Sequence, residues 1–181
     1  MKYSLAAACM ILFNSMSIAH AEEGDTSIAI IAGLPSDLIG VEAGYELNEY
    51  YGLRGGFGGV KYTNDTTTLN TLGGFAFADY YPMGGIFRIS AGTHIGNLGF
   101  EYSDGTNKGS VEFNKIRPSL SVGLTSRQST FVIFGDIGAS YVGKADLDIA
   151  NLDAETKSDA EDVAEQSKIS LMLRTGIGFR F

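Results

Sequence analysis

Residues 168–181, KISLMLRTGIGFRF, decide how the rest of the chain reads. Taken every second residue, Ile169, Leu171, Leu173, Thr175, Ile177, Phe179 and Phe181 fall on one side. Lys168, Ser170, Met172, Arg174, Gly176, Gly178 and Arg180 fall on the other. A period of two with one apolar and one polar face predicts a strand. Fourteen residues is long for a strand of a soluble sheet. A tilted strand that crosses a bilayer needs roughly 9–11.

The first residues carry a different signal. Lys2 is followed by an apolar run over 5–13 and by Ala19-His20-Ala21. This fits a secretory signal over 1–21, cut after Ala21. The run is too short to cross a membrane as a helix, and Cys9 sits too early for a lipoprotein site. Cleavage would leave 22–181 as one domain by length. The single cysteine would leave with the signal, and with it any disulfide or thiol chemistry. Loss of Lys2 would take the formal net charge from −8 to −9. Such an acidic chain is a poor nucleic-acid binder, because phosphate neutralisation needs Lys and Arg. The 24 glycines, against 3 prolines, lie inside periodic segments, as close-packed strands require. No stretch of the mature chain has ~18 continuous apolar residues, which excludes a helical span.

Eight strands are predicted: 26–33, 38–47, 51–62, 69–80, 86–97, 114–125, 130–146 and 168–181. Gly58-Gly59 interrupts the alternation of the third and predicts a bulge or bend. The fourth can be phased with either Phe75 and Phe77 or Ala76 and Ala78 outward. Pro118 in the sixth removes a ladder donor, which places that position at a bulge or near a strand end. Four connections are loops, at 34–37, 63–68, 98–113 and 147–167. Three are tight turns, near 48–50, 82–85 and 126–129. Short turns alternating with longer loops is the pattern of a transmembrane barrel, and it puts both termini at the turn end. Tyr45, Tyr50, Tyr51, Tyr80, Tyr81, Phe87, Phe131, Phe179 and Phe181 all fall near turn ends, where a membrane interface expects an aromatic belt.

The whole mature chain resembles the small eight-stranded outer-membrane barrels of the OmpA, OmpX and OmpW kind. The ending Gly-x-Gly-Phe-x-Phe resembles their closing strand, where the terminal Phe is part of what the insertion machinery reads; Ile177, Phe179 and Phe181 are the expected assembly signal. A closer resemblance lies in GLRGGF at 52–57, ADYYPMGGIFRISAGTHIGN at 78–97 and FGDIGASYVGKADLDI at 134–149. The second is similar to an Asp-Trp-Tyr-Pro…Phe-Arg hairpin of a family of proteobacterial barrels, with Tyr80 where Trp is usual. The resemblance implies an all-β, eight-stranded antiparallel up-and-down barrel in the outer membrane of a Gram-negative bacterium, both termini periplasmic. It implies no activity that transfers residue by residue.

Chemistry is sparse. After cleavage His94 is the only histidine, and it is followed by Ile95 and Gly96 rather than by the serine of a barrel lipid-A deacylase. Its phase places it inward, beside Arg88. One histidine and no cysteine make no metal site. The acids between 151 and 166 (Asp153, Glu155, Asp159, Glu161, Asp162, Glu165) have no EF-hand spacing and predict a solvated loop. Gly55-Gly56 and Gly58-Gly59 precede no helix and are not a phosphate loop. No enzyme activity, cofactor or metal is expected.

The side chains of inward phase are Glu42, Glu46, Arg54, Arg88, Arg117, Asp136, Arg174 and Arg180, with Asp79 as a further partner. Eight strands enclose a lumen that side chains can just fill, and charges there must pair. The expectation is a salt-bridged barrel, sealed to ions, with a structural or surface-interaction role. The alternative is a small pore or hydrophobic-solute channel of the OmpW kind, which an interior of Leu and Phe would favour. The partners expected are outer-membrane lipid and lipopolysaccharide, and the barrel-assembly machinery during biogenesis; the expected state is a monomer. Intact mass of the protein from purified outer membranes is expected to give Glu22 as the first residue. Retention of 1–21, or a lipidated Cys9, would remove the export reading.

Overall fold

The closing strand is where the sheet becomes a barrel. The computed structural model describes residues 24–35, 39–82, 84–103, 108–126, 130–143, 146–150 and 168–181. Ten strands follow in order: β1 Thr26–Leu34, β2 Gly40–Glu46, β3 Tyr51–Thr63, β4 Thr67–Tyr80, β5 Phe87–Ser103, β6 Lys108–Glu112, β7 Ile116–Thr125, β8 Phe131–Tyr141, β9 Asp146–Ala150 and β10 Ile169–Arg180. β10 pairs antiparallel with β8 on one side and with β1 on the other, from Ser27↔Arg180 to Leu34↔Leu173. Thr26 and Phe181 exchange backbone hydrogen bonds at the end of this seam, at 3.0 and 2.8 Å. With β4–β5 pairing as well, β1, β2, β3, β4, β5, β7, β8 and β10 form a closed antiparallel ring. The predicted signal 1–21 and the acidic segment 151–166 lie outside the described residues.

Phase is held around the ring. On β10, Leu171, Leu173, Ile177 and Phe179 are exposed outward while Met172 and Arg174 are buried inward. Ile30, Leu53, Leu72, Ile95, Ile116, Leu120 and Ile137 continue the outer apolar face on the other strands. Such a surface suits hydrocarbon, and a closed ring leaves no unpaired strand edge within it. Among the described residues no helix is long and apolar enough to cross a membrane.

Aromatic rings mark both ends of this face. At the turn end Tyr51 stacks on Tyr80 at 5.3 Å, and Phe131 meets Phe179 edge-on at 5.3 Å. Tyr141 is exposed on the same face near the loop end. From Tyr51 to Tyr62, β3 gives ~36 Å of extended chain. At a tilt of ~35–45° that is ~25–30 Å of height, the size of a transmembrane apolar band. Tyr81 is the exception to the expected belt. It follows the outward Tyr80, so its phase is inward, and it is buried over Gly52 with its ring 3.5 Å from where a Cβ would stand.

The turns are locally encoded. At 47–50 the Asn48 side-chain oxygen accepts from the backbone N–H groups of Tyr50 and Tyr51 at 2.8 and 2.9 Å, an Asx turn. The loop end departs more from expectation. β5 runs six residues beyond the predicted 97, to Ser103, and pairs there with β6, which pairs with β9. The expected loop 98–113 is thus largely a hairpin standing above the barrel. The seventh predicted strand, 130–146, ends at Tyr141. Gly143 breaks it with φ of 73°, a left-handed backbone that glycine adopts readily, packed against Asn114.

Two other local expectations resolve differently. β3 pairs with β4 without interruption from Tyr51↔Tyr80 to Thr63↔Thr68, so Gly58-Gly59 makes no bulge in that ladder. The β7–β8 ladder begins at Ser119, one residue past Pro118, so the missing donor falls where that ladder ends. A charge on the outer face should be costly: Ile177→Arg is expected to destabilise by ~2–4 kcal/mol and Phe181→Arg, at the interface, by less. Urea titration of protein refolded in vesicles, followed by the heat-sensitive gel shift of closed barrels, measures both. Equal stability of Ile177→Arg and the parent would show that this face does not meet lipid.

Candidate functional site: the charged and aromatic interior

β4 settles its phase by turning Phe75 and Phe77 inward and Ala76 and Ala78 outward. Phe134 of β8 also points in. Each of these rings lies over a glycine directly across the ladder. Phe75 faces Gly56, Phe77 faces Gly92 and Phe134 faces Gly176. A Cβ at Gly56 or Gly92 would stand 2.6 Å from the facing ring, and Gly176 is packed as closely. Ring over glycine in a cross-strand pair fills space that the glycine leaves. Ala29, Ile31, Val132 and Met172 pack around the rings.

Three guanidiniums share this space with three carboxylates. Arg54 is the hub. Its Nε donates to Asp79 Oδ2 at 2.7 Å, its Nη1 to Glu42 Oε2 at 3.2 Å and Asp136 Oδ2 at 3.3 Å, and its Nη2 to Ser90 Oγ at 3.0 Å. Arg88 holds Asp136 with two bonds, Nε to Oδ1 at 2.9 Å and Nη2 to Oδ2 at 2.7 Å. The planar fork of Arg allows this parallel geometry. Arg174 Nη2 donates to Glu42 Oε2. All six side chains are buried, and their formal charges cancel.

The same guanidiniums stack on the rings. Arg174 lies 3.9 Å from the Phe75 centroid, Arg54 5.0 Å from Phe77 and Arg88 4.7 Å from Phe134. The ring face attracts the cation, most strongly where water is excluded. Two of these contacts cross the full lumen. β3 and β8 stand opposite in the eight-strand ring, and so do β4 and β10. Arg54–Asp136 joins the first pair, and Arg174 over Phe75 joins the second.

The remaining residues of inward phase are placed elsewhere. Arg180 Nη2 lies 3.7 Å from Glu46 Oε1 on neighbouring parts of the turn end. Arg117 is buried and donates to the backbone carbonyls of Gly96 and Asn114 at 2.7 and 2.8 Å, towards the loop end. Asp79 joins the central cluster. The aromatic half of that cluster, Phe75, Phe77 and Phe134, has a signal in the sequence that pattern reading passed over: an aromatic opposite a glycine in adjoining strands.

His94 is 2% exposed and sits edge-on to Phe77 at 5.3 Å. Its Nδ1 lies 3.0 Å from Ser119 Oγ, which lies 2.7 Å from Ser140 Oγ. A search for His-x-Ser along one strand misses this trio, because it forms across β5, β7 and β8. It faces the lumen. Among the described residues no group of three or more His, Cys, Asp or Glu side chains is placed to hold a metal. The residues expected to serve assembly, Ile177, Phe179 and Phe181, are exposed on the outer face of the seam near the turn end.

No protein-family model matches the chain, and no curated protein matches it. Solved structures do. The chain is similar to Acinetobacter baumannii CarO2, at 18% identity over 87% of this chain and 98% of that one, with a TM-score of 0.69. It is similar to Acinetobacter baumannii CarO, at 15% identity over 86% and 97%, with a TM-score of 0.64. A major outer membrane protein of Thermus thermophilus follows, at 15% identity over 86% and 99%, with a TM-score of 0.55. At these identities the likeness is one of fold.

Truncating Arg54 would leave three buried carboxylates, Glu42, Asp79 and Asp136, to two guanidiniums. Arg54→Ala is therefore expected to cost ~3–5 kcal/mol. Arg180→Ala removes a single 3.7 Å ion pair at the turn end rather than a hub of three and should cost less. Denaturant unfolding of the two variants side by side checks the difference, and equal losses would show that the hub is not special.

Proposed function

We propose that the chain is an integral outer-membrane barrel of a Gram-negative bacterium, with its turns and termini in the periplasm and its loops outside. Its lumen is closed to ions, and its role is structural or one of surface interaction through the loop end. It carries no catalytic activity in this reading; the His94–Ser119–Ser140 trio serves as interior packing with its hydrogen bonds made. Outer-membrane lipid and lipopolysaccharide surround it, the barrel-assembly machinery inserts it through the exposed Ile177, Phe179 and Phe181, and it works as a monomer.

The observation that carries the closed lumen is the neutral cluster drawn from six of the eight ring strands: Glu42, Arg54, Asp79, Arg88, Asp136 and Arg174. A hydrophobic-solute channel would want an open apolar bore. Here the inward phenylalanines are covered by guanidiniums, and the contacts cross between opposite strands. An ion entering this level would have to break charge-assisted bonds in a medium of low dielectric, where they are strongest. Purified protein in planar bilayers is expected to show no steady conductance. Stable single-channel steps from the unmutated protein would reject the closed lumen and favour the pore.

A further inference from the structure

Four glycines line up across the wall of the barrel. Gly40 of β2 pairs with Gly58 of β3, Gly58 with Gly73 of β4, and Gly73 with Gly96 of β5. All four have the inward phase, in step with Glu42, Arg54, Phe75 and His94 of the same strands. The backbones meet closely along this row. A Cβ at Gly40 would stand 2.7 Å from Gly58 Cα, and one at Gly58 would stand 2.8 Å from Ile39 O. Gly73 and Gly96 press together more tightly still. Backbones that close up on the lumen side curl the sheet toward the lumen, and only glycine admits the approach.

The row also divides the sheet. Above it lie 59–63 of β3, 67–72 of β4 and 97–103 of β5, together with β6 and β9. Their ladders join them to one another. Among the described residues no ladder joins them to the other ring strands: β2 begins at Gly40, and the β5–β7 ladder stops at Ile95↔Ile116. Ladder hydrogen bonds run across the strands, so they lie along the row. Folding the upper sheet about the row breaks none of them, and the glycines put no side chain in the way. Thr71 and Leu98, the inward residues next above the row on β4 and β5, are 1% and 3% exposed, as an upper sheet lying over the lumen requires.

Arg117 grips this line from the neighbouring wall. Its Nη1 donates to Gly96 O and to Asn114 O, at 2.7 and 2.8 Å. Asn114 belongs to the link into β7, and its N–H donates to Val142 O at 3.1 Å, which keeps it with the ring. Gly96 has φ of 143°, a backbone that glycine adopts and other residues rarely do. The guanidinium therefore ties the most strained peptide of the row to the fixed part of the barrel.

We propose that the upper sheet is a flap that folds over the loop end of the lumen, hinged on the row Gly40–Gly58–Gly73–Gly96 and held down through Arg117. It controls access from the loop end to the level of Phe75 and His94. The inference needs the closed ring but holds whether or not the lumen conducts.

The test is the distance between spin labels on the full chain in nanodiscs, placed by Thr63→Cys on the flap and Ile169→Cys on β10, with Cys9→Ser to leave no other thiol. Both labelled positions are exposed. Thr63 lies five residues above Gly58 on β3. That is ~17 Å of strand, so a rotation of about 20° moves the label by ~6 Å. The parent should give one narrow distribution. Arg117→Gln should broaden it toward longer distances by ~6 Å while the heat-sensitive gel shift of the ring is kept. Gly73→Ala should lengthen the mean, because its Cβ would push β4 and β5 apart on the lumen side, whereas Gly74→Ala, one residue off the row, should leave it unchanged. The parent and Arg117→Gln need no change in the row, so they decide the matter even where Gly73→Ala does not fold. A distribution in Arg117→Gln identical to the parent's, or an equal lengthening in Gly74→Ala, would overturn the hinge. Failure of the parent to give a folded band would instead overturn the barrel itself.

Discussion

Closure of β1 against β10 is the constraint on which the structure depends. In hydrocarbon an unpaired backbone N–H or C=O costs several kcal/mol, so a sheet there must have no edge. Closure at eight strands then fixes the bore. A ring of this size leaves an interior just wide enough for side chains. Everything that faces inward must fit its neighbours in volume and in charge, because water cannot make good a mismatch.

Two devices meet that demand at the same level of the barrel. Gly56, Gly92 and Gly176 give up volume opposite Phe75, Phe77 and Phe134, so that bulky rings can enter without pushing the strands apart. Arg54, Arg88 and Arg174 then lie on those rings and turn their donors to Glu42, Asp79 and Asp136. A guanidinium can do both because it is planar and only weakly hydrated for a cation. Lysine could supply the charge but neither the stacking nor the paired bonds. β5, β7 and β8 also bury the small hydroxyls Ser90, Ser119, Ser121 and Ser140. These leave room beside the larger inward side chains, Arg88, Phe134 and Asp136 of the same strands among them.

The stretch 78–97 contributes to this more than any other. It supplies Asp79 before its turn and Arg88 and Ser90 after it, all inward, and each meets a partner in the central cluster. Its outward residues, Ala78, Tyr80, Ile89, Ala91 and Ile95, face the other way and belong to the outer surface. One hairpin thus serves lumen and exterior by strict alternation. Above it, β5 stays paired with β4 as far as Tyr102, while its other edge passes from β7 to β6, which pairs in turn with β9.

The sequence by itself determined the strand count of the ring, the alternation of turns and loops, and the face of most inward charges. These are properties of period two and of turn chemistry, and each is local. The closing strand shows why: every outward residue from Ile169 to Phe181 is apolar or small, so a slip by one position would put Arg174 in lipid. The structure decided the phase of β4, because Phe75 and Ala76 are both acceptable on an outer face; the glycines across the ladder take the rings inward, on the same face as Asp79. It alone decided that Tyr81 turns inward, that β5 outlasts the ring, and which acid each guanidinium meets. Arg54 reaches Asp136 on the opposite wall, 82 positions away in the chain, and no spacing along one strand encodes a distance across a lumen.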